Sequence, residues 1–240
     1  NKYIETLWWL LKQLYNKGLL YKGYTIQPYS PAAGTGLSSH ELNQPGCYRD
    51  VKDTTVTAQF SIPADDWKGL SEKANLPKEI WGKPCFVAWT TTPWTLPSNV
   101  ALCVGPKIEY VVVETYNPYD AEKLTLVMAA SRVAAYLKSE GEITDGGELP
   151  EYERGDKYVP YRIVGRVMGT ELEGLHYQQL MPWVKPVEQT GDFAPKFVND
   201  YAVAHPEKVF TSEDGRDKFV EMESEAFRII LGDYVTTEDG

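Results

Sequence analysis

Cysteine is scarce in this chain. Three residues, Cys47, Cys85 and Cys103, lie far apart and form no Cys-x-x-Cys pair. An odd, scattered set excludes a disulfide framework and fits a reducing, cytoplasmic setting. Histidine is equally scarce, and the dispersal of His40, His176 and His205 predicts no metal site. No apolar run approaches bilayer length, so no transmembrane helix is expected. The first residues lack the basic-then-apolar pattern of a secretory signal. Cations are outnumbered, with 24 Lys and Arg against 34 Asp and Glu and a net charge of −10. That balance counts against general nucleic-acid binding, because phosphates are neutralised by clustered Lys and Arg. Contact with a nucleic acid would have to be shared with another part of a larger protein.

What is present suits a folded, β-rich protein. Hydrophobic residues make up 42% of 240 positions, enough for a core in one large domain, or one domain with an appendage. Residues 4–15 carry Ile4, Leu7, Trp8, Leu11, Leu14 and Tyr15 at three-and-four spacing. This predicts an amphipathic helix that packs its stripe into a core and stops at Gly18. Residues 27–46 are rich in Pro, Gly and Ser and read as a connector. Alternation from Val56 to Phe60 predicts a strand, so a boundary is drawn near residue 50. Further strands are expected at 85–92, 100–104, 110–114, 124–128, 161–168, 227–231 and 234–237, with a helix at 129–138. The acidic, glycine-bearing segment 140–156 reads as a surface loop or hairpin. Many short strands and few helices predict an α+β, β-barrel-like fold.

The stretch Trp89-Thr90-Thr91-Thr92-Pro93-Trp94-Thr95-Leu96-Pro97-Ser98-Asn99 follows the apolar run Phe86-Val87-Ala88. Two prolines stop it from continuing as a central strand. A buried strand is therefore expected to break here and present hydroxyls and an amide. Each hydroxyl donates and accepts, and the amide does both in one plane. Such a cluster could hold a ribose, an ester carbonyl or a water. Threonine also favours strands, and Pro-Ser-Asn favours turns, so the residues alone leave both readings open. Elsewhere, packing suits His176, exposure suits His40 and His205, and burial as small apolar residues suits Cys85 and Cys103.

The threonine segment resembles the motif of the editing domain in isoleucyl-tRNA synthetases. The related valyl and leucyl enzymes usually show Thr-Thr-Arg-Pro, whereas Thr92 stands here in the arginine's place. Trp8-Trp9 through Gly23, Pro28-Tyr29-Ser30-Pro31, Gly34 through Glu41, and Tyr48 through Asp53 resemble the approach to the editing insertion. Gly174-Leu175-His176-Tyr177, Phe227-Arg228 and Gly232 through Thr236 resemble its later landmarks. The resemblance implies residues 1–50 as a helix and connector at the catalytic-core junction. It implies 51–240 as the editing domain, truncated at its C-terminal end. The implied reaction is hydrolysis of mischarged valyl-tRNA(Ile). Thr90, Thr91 and Thr92 are implied as catalytic residues, and Trp89, Thr95 and Asn99 as substrate-binding ones. No Ser-His-Asp arrangement is visible, so a positioned water is expected rather than a covalent intermediate.

The same resemblance implies limits. In relatives a Gly-Thr-Gly-Ile-Val-His-like segment and a later aspartate complete the pocket, and both would lie beyond Gly240. Neither a His-Ile-Gly-His-like nor a Lys-Met-Ser-Lys-Ser-like signature occurs. ATP and magnesium are therefore expected only in the parent enzyme's synthetic site, with no cofactor in this chain. Where some relatives carry a zinc-binding Cys-x-x-Cys, this chain has Ser30-Pro31-Ala32-Ala33, so no zinc is expected. The expected partners are the tRNA(Ile) 3′ end carrying valine and the parent's catalytic core, with no membrane and a monomeric state. The alternative is a non-catalytic β-rich binding module whose 16 tyrosines and 7 tryptophans form contact surfaces.

Overall fold

The computed structural model describes every residue except Lys22, Tyr24, 77–79, Asp145, Val184, Phe193, 223–225 and 238–240. The chain divides into two compact units, Asn1–Lys52 and Asp53–Gly240.

The first unit opens with helix α1, Lys2–Asn16. Gly18 ends it at φ +70°, a left-handed position that glycine adopts without strain, with its N–H donating to Tyr15 O at 2.9 Å. The apolar stripe does not pack as the sequence predicts. No residue of α1 is buried, and Trp8 is 68% exposed. Spacing alone shows that a face is apolar, not what covers it. The connector holds a minimal hairpin of β1, Tyr29–Ser30, and β2, Thr35–Gly36. One helical turn follows, α2, Ser39–Leu42. Ser38 and Glu41 close a reciprocal capping box around its start, which is why so short a helix forms.

The second unit begins with β3, Val56–Ser61, α3, Ala64–Lys73, and β4, Lys83–Thr90. A 3₁₀ turn at Pro93–Ser98 leads to β5, Ala101–Val104, then β6, Glu109–Tyr116, and β7, Lys123–Ala129. After a short α4, Val133–Tyr136, come β8, Arg162–Met168, and α5, Gly169–Leu172. The remaining elements are β9, Val187–Gln189, α6, Lys196–Ala204, β10, Val209–Thr211, β11, Lys218–Glu221, and β12, Arg228–Leu231.

The main sheet runs β3-β4-β7-β6-β8, with β4 and β7 parallel and the other pairs antiparallel. Both faces are covered. Ala58, Phe60, Phe86, Val112 and Val127 meet Trp67 and Leu70 of α3 on one side. Val111, Val113 and Met128 meet Val133 and Leu137 on the other. Burial on two faces explains why the Val111-Val112-Val113 run is continuously apolar instead of alternating. β12 and β5 form a separate parallel pair. β10-β11-β9 form a small antiparallel sheet whose core is Val198, Val220 and Met222. The chain is α+β and β-rich, as the sequence predicts. Its sheets stay open, and no closed barrel forms among the described residues.

Three expectations are corrected. Residues 234–237 are not a strand: pairing ends where Gly232 N–H reaches Val104 O at 3.0 Å, and Val235 N–H then turns back to Gly232 O. The helix expected at 129–138 is shorter, because Ala129 is still paired in β7 and a 3₁₀ turn precedes α4. Segment 140–156 is not simply surface, since Leu149 and Tyr152 pack on Tyr116 in a small core of their own.

Candidate functional site

The threonine segment grows out of β4. Its backbone pairs with β7 only from Lys83 to Phe86, and with β3 from Cys85 to Thr90. The strand therefore leaves the sheet centre before it ends. At Thr92 the backbone sits at φ −125°, ψ 65°, and Pro93 starts the 3₁₀ turn. Proline suits a first helical position, where its missing N–H would have had no helical partner.

Hydroxyls then hold the turn together. Thr90 Oγ1 accepts from Thr92 N–H at 3.0 Å and lies 3.2 Å from Thr92 Oγ1. Thr95 donates to Thr92 O twice, from its N–H at 3.0 Å and its hydroxyl at 2.8 Å. Ser98 Oγ donates to Thr95 O at 3.1 Å. Asn99 closes the segment with Nδ2 donating to Ala101 O at 3.0 Å, while Oδ1 accepts from the Tyr177 hydroxyl at 2.6 Å. Tyr177 is 2% exposed, and burial pushes its phenol pKa well above the ordinary range.

These residues wall a cleft of about 350 Å³. Trp89, Thr90, Thr95, Ser98 and Asn99 supply its polar and aromatic side, and Phe60, Leu96 and Leu102 its apolar side. Larger cavities exist in the same unit, one of about 710 Å³ between the sheet and α4, but Thr90, Thr95, Ser98 and Asn99 of the threonine segment line the smaller cleft and not that one. An apolar wall facing a few fixed donors and acceptors suits a small ligand with one greasy and one polar end.

A class I tRNA synthetase model (I, L, M and V) matches residues 1–215. The chain belongs to that family. It is 54% identical over 240 residues to the isoleucine–tRNA ligase of Bacteroides thetaiotaomicron, covering 100% of this chain and 18% of that protein. Against the isoleucine–tRNA ligase of Bacteroides fragilis it is 52% identical, with 100% and 17% covered. The chain thus spans less than a fifth of these curated relatives. Among solved structures, the crystal structure of GlLeuRS-CP1 aligns with a TM-score of 0.41 at 9% identity, covering 78% of this chain and 50% of that one. A likeness that distant carries no argument here.

Within this synthetase chain, Trp89, Thr90, Thr95 and Asn99 come together on the cleft. Thr91 and Thr92 do not line it; both are exposed on the turn that follows Thr90. Tyr177, Phe60 and Leu102 are site residues that the sequence alone does not single out. Tyr177 stands in a landmark stretch of the family, which was the available signal. His176 is not packed as expected: it is exposed, and both its N–H and Nδ1 lie within 3.2 Å of Asp66 Oδ1. His205 is half-buried instead of exposed, stacked on Tyr201 with ring centroids 4.1 Å apart. Cys85 is buried, and Cys103 only half-buried.

Proposed function

We propose that this chain is the editing region of an isoleucine–tRNA ligase and hydrolyses valyl-tRNA(Ile) within the parent enzyme. One observation carries this reading: the hydroxyl-lined cleft of Trp89, Thr90, Thr95 and Asn99 lies in a chain half identical to isoleucine–tRNA ligases along its whole length. A synthetic site separates isoleucine from valine poorly, since one methylene is worth about 1–3 kcal/mol, a value established on isoleucine–tRNA ligases themselves. A second, smaller site can then remove the valyl product and exclude isoleucine by size.

The chemistry is ester hydrolysis. A water oxygen attacks the carbonyl carbon, the bond to the ribose oxygen breaks, and that oxygen leaves with a proton as valine is released. Thr90 on the cleft wall, with Thr91 and Thr92 on the exposed turn beside it, orients the ester, the terminal ribose and the water, while Trp89, Thr95 and Asn99 shape the pocket. Holding the water and ester in register is the main contribution expected of such a site. ATP and magnesium serve the synthetic site elsewhere in the parent, and this chain takes no part in that step.

Residues 1–50 are the junction with the catalytic core and 51–240 the editing domain. The exposed stripe of α1, with Leu7, Trp8 and Leu14, supports a core-facing role for that helix. The tRNA 3′ end carrying valine and the catalytic core are the partners of this monomeric, cytoplasmic enzyme. Among the described residues no helix is long and apolar enough to cross a membrane. The test is deacylation of valyl-tRNA(Ile) by the full-length protein. Thr91→Ala and Thr92→Ala should raise valine misincorporation, and fidelity unchanged in both would rule out the assigned roles.

A further inference from the structure

The contact between Tyr177 and Asn99 closes a ring of bonds around the end of the threonine turn. Tyr177 N–H donates to Phe227 O at 2.8 Å, and Phe227 N–H donates to Val100 O at 2.7 Å. Val100 is the residue after Asn99, to which the Tyr177 hydroxyl returns. On the other flank, Gln178 N–H donates to Ser61 O at 2.8 Å and fastens the same segment to the end of β3. Phe227 holds φ +58°, a left-handed backbone that phenylalanine rarely adopts. The tyrosine ring meets Phe60 and Phe227 edge-on, with centroids 5.1 and 6.0 Å away. Backbone and ring together leave its hydroxyl little freedom.

A phenylalanine would fill this aromatic nest without burying an oxygen. Burying a hydroxyl is unfavourable unless it finds a partner, and here the partner is a cleft residue. We propose that Tyr177 is a positioning residue for the hydrolytic site: its hydroxyl fixes the plane of the Asn99 amide and so sets the wall of the cleft that receives the aminoacyl group. The proposal rests on the editing reading above. With Oδ1 engaged by Tyr177, the amide must present its NH₂ the other way, where one N–H reaches Ala101 O. The second N–H stays on a residue that lines the cleft. A phenol is protonated throughout the neutral range, and burial moves its pKa further up, so the hydroxyl remains a donor there. Rotating the amide would reverse donor and acceptor at the cleft wall, and a positioned water tolerates little such disorder.

The test uses the full-length protein and valyl-tRNA(Ile). Tyr177→Phe keeps the ring packing and removes only the O–H. Its deacylation kcat should fall roughly five- to tenfold, the scale of one lost hydrogen bond, with KM within about twofold. Asn99→Ala should lower kcat by itself, and adding Tyr177→Phe to it should change little, since the two act as one unit. A packing role would lower the melting temperature and leave kcat alone, so both are measured. Should Tyr177→Phe fail to fold, Asn99→Ala removes the acceptor instead, and a change confined to KM overturns the proposal. Unchanged kcat in Tyr177→Phe, or full additivity with Asn99→Ala, overturns it also. If the unsubstituted protein does not deacylate valyl-tRNA(Ile), the editing reading itself fails and takes the inference with it; if it does and Tyr177→Phe matches it, the inference alone fails.

Discussion

Arg162 on β8 stands directly opposite Glu114 on β6 and directs two guanidinium nitrogens at a single carboxylate oxygen, Nε at 3.0 Å. Its Nη1 continues to Gly147 O at 2.9 Å. One side chain therefore satisfies a buried carboxylate and pins the segment that carries Leu149 and Tyr152. Glu114 is only 4% exposed. Arg162→Met should leave that charge without its partner and destabilise the second unit by about 3 kcal/mol. Urea unfolding checks this, and a midpoint unchanged in the variant would show that the carboxylate finds water or another partner.

The hydroxyls of the turn should separate by role. Thr90→Val keeps the shape and β propensity but removes the acceptor of Thr92 N–H. The expected loss is about 1 kcal/mol of stability together with slower deacylation. Thr91→Val should affect deacylation alone, because the Thr91 hydroxyl makes no hydrogen bond to the described residues and its side chain is exposed. Paired thermal melts and single-turnover deacylation read both effects.

Stability should fall on the alkaline side. Burial raises the pKa of the Cys85 thiol and of the Tyr110, Tyr161 and Tyr177 phenols. The folded chain then keeps protons that the unfolded chain releases, so the unfolded state binds fewer and stability declines with rising pH. The contribution is intact below the ordinary thiol and phenol values and is lost progressively above roughly pH 9 to 10. Melting temperatures measured between neutral pH and pH 11 should show the decline, and Cys85→Ala should remove its earliest part.

Gly169 should not tolerate a side chain. A Cβ there would lie 2.0 Å from Gly105 O and 2.9 Å from Gly105 C, backbone that a rotamer change cannot move. Gly169 N–H also donates to Ile108 O at 3.0 Å, which holds the two segments together. Gly169→Ala should destabilise by about 2 kcal/mol, readable in guanidinium unfolding.

Much of the main sheet is legible in the residues. Val56–Phe60, Glu109–Tyr116 and Lys123–Ala129 carry enough β-branched and apolar character to predict strands within a residue or two. The break after Thr90 is legible too, because Pro93 and Pro97 cannot donate to a ladder. The small elements are not. α3 has Asp65 and Asp66 in its first turn and shows only Trp67 and Leu70 as anchors, so its helical period is short and its polar face dominates. β9, β10 and β11 have three or four residues each, too few for alternation to register. The long-range partner of Asn99 was hidden for a different reason. Tyr177 lies 78 positions away, and its segment comes alongside through its bonds to Phe227 and to Ser61, with β12 in turn paired to β5. The family resemblance groups Thr91 and Thr92 with Thr90, yet the turn at Thr92 leaves both exposed.

The one-sided end of β4 has a mechanical consequence. Between Val87 and Thr90 the strand is paired, among the described residues, with β3 alone, so the tip that launches the threonine turn is a cantilever whose ladder rungs are Val56, Thr57, Ala58 and Gln59. Its stiffness is set some thirty residues upstream, in a strand with no hydroxyl in the turn. A substitution in β3 that weakens those four rungs would loosen the root of the turn while leaving intact both the bonds within it and the Tyr177 and Phe227 anchors at its far end.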